Sequence, residues 1–333
     1  MRKTLLTGDK NFYKANLHCH TNFSDGKLTP EEVKEEYKSR GYSVVAYTDH
    51  DIFIPHDELN DESFLALHGF EVEINEGHTY PGTPFIKTCH ICNIAIEPDN
   101  LIQPLFDPFY AYVGNAKSHI GEVKRDRDSY RREYSGEGVS EMMKTFRDAG
   151  FFVTYNHPTW SQERYSEYTS YHGMHAMEIM NSGSVNIHYD EYNPRVYDDI
   201  LQCGERIYCI GADDNHSKAD IGISWIVINA EHLEYREITG ALLEGDFYTS
   251  NGPEIYELTY EDGKIRIKTS PAEKIICSYD IRKAGGALAK DGIPVTEAEF
   301  IVPEGAGWFR ITVTDANGKH ACTRAYFLDE LDK

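Results

Sequence analysis

Residues 29–41 constrain the fold more tightly than any other stretch, because both ends of a helix are marked in the sequence. Thr29 predicts an N-cap, Pro30 the first helical position and Glu32 the second half of a Thr-x-x-Glu capping box. Val33 and Tyr37 then fall on one face, and Gly41 stops the helix. On either side lie short apolar runs that read as strands: Asn16, Leu17, His18, Cys19 and His20 before it, and residues 44–48 after it. Strand, helix and strand in this order make a parallel βαβ crossover. In an extended chain, alternate side chains point to opposite faces, which puts His18 and His20 on one face and Leu17 and Cys19 on the other.

The pattern recurs. Residues 70–74 predict a strand with Glu71 and Glu73 on one face, and residues 88–96 another that carries His90. A helix over 138–149 buries Val139, Met142, Met143 and Phe146 and precedes a strand over 151–156 that runs into His157. Residues 176–180, a helix around Val196 to Leu201, a strand over 206–211, a strand over 225–228 and a short helix around Ile238 complete the region. About seven strands alternating with helices predict a parallel α/β barrel or sheet. In such barrels the chemistry collects at the carboxyl ends of strands. His50, His157, Asp214 and His216 all stand just past predicted strands.

From residue 253 onward the helices stop. Short alternating strands over 254–260, 264–269, 274–279, 297–302, 308–314 and 320–327 are separated by Asp262-Gly263, Gly285-Gly286, Asp291-Gly292 and Asn317-Gly318. The chain is therefore expected to divide into residues 1–252, an α/β catalytic unit, and residues 253–333, a small antiparallel β-sandwich. Residues 99–137 have no clear period. Their charged run reads either as a solvated helix face or as a loop over the barrel mouth that brings Lys or Arg toward a phosphate.

Composition excludes several classes of function. The net charge is −22, and residues 253–333 hold 14 Asp+Glu against 11 Lys+Arg, so most of the excess falls on the first unit. Such a field disfavours a nucleic acid polymer or an anionic membrane as partner. No apolar run reaches the roughly 20 residues of a membrane span. The amino terminus lacks the apolar core of a signal peptide, so a cytoplasmic location is expected. Seven cysteines, an odd number in a chain of 333 residues, fit reduced thiols, with Cys89 and Cys92 as buried strand residues. There is no Gly-x-Ser-x-Gly elbow, dinucleotide fingerprint or Gly-rich phosphate loop.

His-x-His alone is weak evidence for a metal. The weight comes from the set: His18, His20, Asp25, His50, Glu71, His90, His157, Asp214 and His216. Nine imidazole and carboxylate groups at separate strand ends exceed what one ion can use, since Zn, Mn or Fe takes four to six such donors. Two or three divalent ions fit better.

Taken in order, His18-Cys19-His20-Thr21-Asn22-Phe23-Ser24-Asp25-Gly26, Thr48-Asp49-His50-Asp51, Gly69-Phe70-Glu71-Val72, Asn156-His157-Pro158 and Asp214-Asn215-His216-Ser217 resemble the motifs of the PHP (polymerase and histidinol phosphatase) superfamily. The resemblance spans residues 14–252. It implies a distorted (βα)7 TIM-like barrel with a trinuclear metal site for phosphoester hydrolysis. Carried over position by position, it assigns His18, His20, Glu71 and Asp214 to one metal. A second shares Glu71 and takes His90 and His157, and a third takes Asp25, His50 and His216. Asp25 stands where some members have histidine, and His78 or His119 competes with His90 for its role. The implied catalytic group is a metal-bound hydroxide bridging the first two ions, attacking a small phosphorylated metabolite of nucleotide monophosphate or sugar phosphate type. Asp49 and Asp51 are candidates to hold histidine N–H groups, as are Glu73 and Glu178, while Asp213 reads as structural. Two rivals stand beside this reading. One is an amidohydrolase-like metallohydrolase; the other is a binding or scaffold protein that attaches through the β region.

Overall fold

The computed structural model describes residues 2–77 and 87–331. In chain order, the elements are β1 (Arg2–Leu6), β2 (Asn11–Asn16), α1 (Pro30–Ser39), β3 (Val44–Tyr47), β4 (Leu65–Asn75), β5 (Thr88–Ala95), α2 (Ala116–His119), α3 (Gly136–Asp148) and β6 (Phe151–Tyr155). There follow α4 (Tyr165–Tyr168), β7 (Ala176–Asn181), α5 (Ser182–Asn186), α6 (Pro194–Gln202), β8 (Tyr208–Ala212), β9 (Trp225–Ala230), α7 (Tyr235–Glu244) and β10 (Phe247–Ser250). The last region holds β11 (Ile255–Glu261), β12 (Lys264–Ala272), β13 (Lys274–Tyr279), β14 (Ala284–Leu288), β15 (Val295–Ile301), β16 (Trp308–Thr314), β17 (His320–Thr323), β18 (Tyr326–Phe327) and α8 (Leu328–Leu331).

The capping box forms as its sequence predicts. Thr29 accepts from the Glu32 N–H, the Glu32 carboxylate accepts from the Thr29 N–H, and Val33 and Tyr37 are buried. The crossover it starts makes β2 and β3 parallel, and β3 and β4 follow suit. Direction then changes: β5 pairs antiparallel with both β4 and β6, before β6, β7 and β8 resume the parallel order. On the other flank β2, β9 and β10 are antiparallel. The structure is thus α/β as expected, but its sheet is mixed. Among the described residues no ladder joins β8 to β9. The link there is a side chain, Thr249 Oγ1 of β10 donating to the Cys209 carbonyl of β8 at 3.0 Å.

Every residue of β3 to β7 is buried, as strands covered on both faces must be. Phe70, Phe146, Phe151 and Val153 form the largest core beneath α3. Fully burying each such side chain contributes on the order of 2 kcal/mol.

The all-β region is a two-sheet arrangement. One sheet runs β1-β11-β12-β15, and the other, β14-β13-β16-β17, continues through β10 into the large sheet. Strand pairing therefore crosses the expected 252/253 division twice among the described residues, where β1 pairs with β11 and where β10 pairs with β17. Phe309 and Tyr326 lie in the sandwich core, while Trp308 joins the core of the α/β unit.

Candidate metal centre

The strands deliver their functional residues through strained backbone just past their carboxyl ends. Asp51, His157 and Asp214 all have positive φ, at 59°, 27° and 48°, a region that non-glycine residues occupy only where their surroundings hold them. Here Asp51 N–H donates to the Glu71 carbonyl at 2.7 Å and Asp214 N–H to the His18 carbonyl at 3.0 Å. β2 ends at Asn16, so His18 and His20, expected within the strand, lie just past its end, but in the expected arrangement. Both imidazoles point into the site, while Leu17 and Cys19 pack into cores on the other side.

All nine predicted ligand residues converge. Their ligand atoms fall into four overlapping groups: His18, His20 and Asp214; His18, Glu71 and His157; His50, Glu71 and His90; and His20, Asp25, His50 and His216. Glu71 is the hub. Its Oε1 lies 3.2 Å from His18 Nε2 and 3.2 Å from His90 Nδ1, and its Oε2 lies 3.3 Å from His50 Nδ1. Asp214 Oδ1 is 3.3 Å from His18 Nε2 and 3.1 Å from His20 Nε2. His216 Nε2 stands 3.3 Å from Asp25 Oδ2. Of the two alternatives to His90, His119 stacks on Phe23 and bonds Glu122 at 2.8 Å away from these groups, and His78 lies outside the described residues.

The residues fit a cation by a test internal to the structure. His50 Nδ1, His90 Nε2 and Asp214 Oδ1 are buried without a hydrogen bond, an arrangement that costs stability unless something else contacts them. The electrostatics agree. Burial opposes protonation of His18 and His20, yet Asp214, Glu71 and neighbouring carboxylates outweigh it and hold both imidazoles well above their usual value. Burial likewise opposes charge on Glu71 and Asp214, but His18 and the other imidazoles keep both carboxyls well below the usual range. His50 is pushed down to about 3, chiefly by burial. Anionic oxygens thus face imidazoles whose shared protons a divalent ion would replace.

A surrounding layer fixes these groups. Glu178, which sequence alone left undecided, accepts from His18 Nδ1 at 2.8 Å, from the His157 N–H at 2.9 Å and from Asn181 Nδ2 at 2.8 Å. Asn181 Nδ2 also reaches Asp214 Oδ2 at 3.1 Å, and Asn156 Nδ2 donates to Glu71 Oε1 at 2.9 Å. Asp213 is structural, accepting from the N–H groups of Gly222, Ile223 and Ser224.

Among the described residues, Asp49 and Asp51 hold no histidine N–H group. Asp49 accepts from the N–H groups of Thr21 and Ser24 and from both their hydroxyls, which shapes the loop carrying Asp25. Asp51 is paired with Arg132, whose Nη1 also donates to the Glu73 carbonyl at 2.7 Å. Glu73 in turn accepts from the Tyr112 hydroxyl.

Arg132 and Tyr112 belong to residues 99–137. Before α3 begins at Gly136 this segment contains only the four-residue helix α2, and it is strapped over the site, with Asn115 N–H donating to the Ser24 carbonyl at 2.7 Å. The loop reading of this segment therefore holds, but its cations do not reach the cavity. Arg125 and Arg127 bond Asp128 and Asp126, and Arg132 is buried against Asp51. Tyr112 and Trp160 were not anticipated from sequence, and Arg132 was expected only as one of the cations of the charged run. Tyr112 sits in an aperiodic stretch, and Trp160 lies two residues beyond the His157-Pro158 signature. Its ring stands edge-on to His90 and His157, with centroids 5.1 and 4.9 Å away. These groups open into a cavity of about 390 Å³.

The family model of the PHP domain matches residues 16–215. No curated protein sequence matches the chain. Among solved structures, the chain is similar to a two-domain protein from Bacteroides vulgatus described as containing a predicted PHP-like metal-dependent phosphoesterase, at 15% identity over 96% of each chain and a TM-score of 0.48. It is similar also to an amidohydrolase from Chromobacterium violaceum, at 16% identity over 61% of this chain and 87% of that one, with a TM-score of 0.37. A third is a lesion-specific endonuclease from Pyrococcus furiosus, at 12% identity over 70% of this chain and 56% of that one, with a TM-score of 0.42.

Proposed function

This chain belongs to the PHP domain family, and from that footing we propose that it is a metal-dependent phosphoesterase acting on a small phosphorylated metabolite. The observation that supports this reading best is the convergence of nine imidazole and carboxylate side chains on one cavity, with Glu71 shared among groups. We assign His18, His20, Glu71 and Asp214 to one ion, and Glu71, His90 and His157 to a second. Asp25, His50 and His216 would hold a third. Zn, Mn or Fe suits this donor set.

Divalent ions here would supply positive charge against the phosphoryl oxygens and lower the proton affinity of a water at neutral pH. The chain's own contribution is orientation. Glu178 accepts the Nδ1 proton of His18, so it is Nε2, facing Glu71 and Asp214, that would give up its proton and take a cation. Asn156 and Asn181 fix one oxygen each of Glu71 and Asp214, so neither carboxylate has to reorganise. Trp160 lines one wall of the cavity.

Metal analysis of the purified protein, combined with a phosphate-release screen over nucleotides, sugar phosphates, diesters and a DNA oligonucleotide, tests the proposal. Stoichiometric metal with release from small esters is expected, and His18→Ala should lose both. Stoichiometric metal with no release from any phosphoester, or cleavage of the oligonucleotide alone, would sink it.

A further inference from the structure

Half of the cavity wall is made of the ligand candidates Asp25, His50, Glu71, His90, His157, Asp214 and His216. The other half must recognise whatever the phosphate is attached to. It consists of Glu73, Val113, Trp160, Gly183, Ser184, Ile187 and Asp220, with no Lys or Arg among the described residues.

The charged members of that half are already engaged, and the Ser184 hydroxyl is the one further polar side chain among its described residues. Asp220 accepts from the N–H groups of His216 and Ser217 and from the Ser217 hydroxyl through one oxygen, and from Asn186 through the other. Glu73 Oε1 accepts from Asn75 and Tyr112. A sugar phosphate needs several convergent donors and acceptors for its hydroxyls, and a bisphosphate needs a guanidinium or ammonium for its second phosphate. This wall offers neither. What it does offer is the ring of Trp160 with the branched side chains of Val113 and Ile187. Ile187 is 57% exposed at the rim, an apolar group left facing solvent beside an otherwise charged site.

Resting on the phosphoesterase reading, we infer that the preferred substrate is a phosphomonoester whose alcohol part is uncharged and presents a planar aromatic face to Trp160. A second anionic group is disfavoured by the carboxyl-lined, cation-free wall.

The test uses the full-length protein loaded with Mn(II), measuring phosphate release from phenyl phosphate, glucose 6-phosphate and fructose 1,6-bisphosphate. Phenyl phosphate should show a kcat/KM about tenfold or more above the other two, the discrimination expected of a modest apolar contact. Trp160→Ala should raise KM for phenyl phosphate selectively, with metal content measured on the same sample. Ile187→Lys, at an exposed position, should raise kcat/KM for the bisphosphate. A preference for glucose 6-phosphate or the bisphosphate in the unmodified protein would overturn the inference alone. So would Ile187→Lys leaving the bisphosphate unimproved. Release from other esters of the wider screen but not from phenyl phosphate would also overturn the inference, whereas release from no phosphoester, with metal bound, would overturn the phosphoesterase reading itself.

Discussion

His18 Nδ1 stands 2.8 Å from Glu178 Oε1, and both side chains are wholly removed from solvent. Because the other oxygen of Glu178 holds the His157 N–H and Asn181, one carboxylate fixes two candidate ligands directly and Asp214 through Asn181. Glu178→Gln keeps the volume but cannot accept on both sides, since its amide nitrogen would face a donor. Metal affinity should fall by about 10–100-fold, the usual effect of losing such a partner. Titration with a competing chelator measures this, and unchanged affinity would show that Glu178 has no positioning role.

Asp51 and Arg132 form an ion pair with side chains 1% and 3% exposed. Burial lifts the Asp51 carboxyl to about 6, with Arg132 opposing the rise. Removing only the cation, as in Arg132→Ala, leaves a buried carboxylate unpaired and should cost about 3–5 kcal/mol in urea unfolding. Asp51→Asn combined with Arg132→Met should recover much of the loss. Equal destabilisation in the single and double variants would mean that packing, not charge, holds the strap.

Glu163 gives a pH dependence away from the ligands. It is enclosed by the hydroxyls of Tyr134, Tyr155 and Tyr171, and burial, opposed by those hydrogen bonds, raises its carboxyl to about 7. Between the unfolded value near 4.5 and about 7 the native state therefore binds the extra proton. Stability is thus lost as pH rises through that window, by about 3 kcal/mol for this group. Glu163→Gln should flatten the slope of unfolding free energy over this range, and an unaltered slope would assign it elsewhere.

Much of this site is legible in the sequence because its signals are local. The Thr29–Glu32 box, the His18-x-His20 spacing and the residues just past strands each need only a few neighbours to be read. Glu178, by contrast, is one acidic residue in the middle of a strand, and only its proximity to His18, 160 residues away, gives it a role. The pairing of β1 with β11 is equally non-local. Gly285-Gly286 reads as a turn because glycine is rare within strands, yet β14 runs through it, paired along its length with β13. The direction of β5 was hidden for a related reason, since buried strands show the same apolar run whether parallel or antiparallel.

Gly183 tests how closely the backbone must approach Asp214. A Cβ there would lie 2.5 Å from the Asp214 carbonyl oxygen, nearer than van der Waals contact permits. Gly183→Ala should therefore displace Asp214 and lower bound metal per chain while far-UV circular dichroism stays unchanged. Full metal content in the variant would show that the α5 turn yields instead.

Residues 253–333 should not separate from the rest as an independent unit. Cutting at 252 would strip β1 of β11 and β10 of β17, leaving two unpaired edges. It would also uncover Leu6, Val227 and Tyr248, which share a core with Ile255, Phe309 and Ile311, and remove Trp308 and Ala325 from the core beneath α3. Arg310, 5% exposed, would leave Asp198 without the two bonds of 2.7 and 2.8 Å that join β16 to α6. The intact chain should accordingly unfold in one calorimetric transition, and residues 1–252 alone should be aggregated or unfolded. Two resolved transitions, or a soluble truncated protein with full metal content, would instead establish two separable domains.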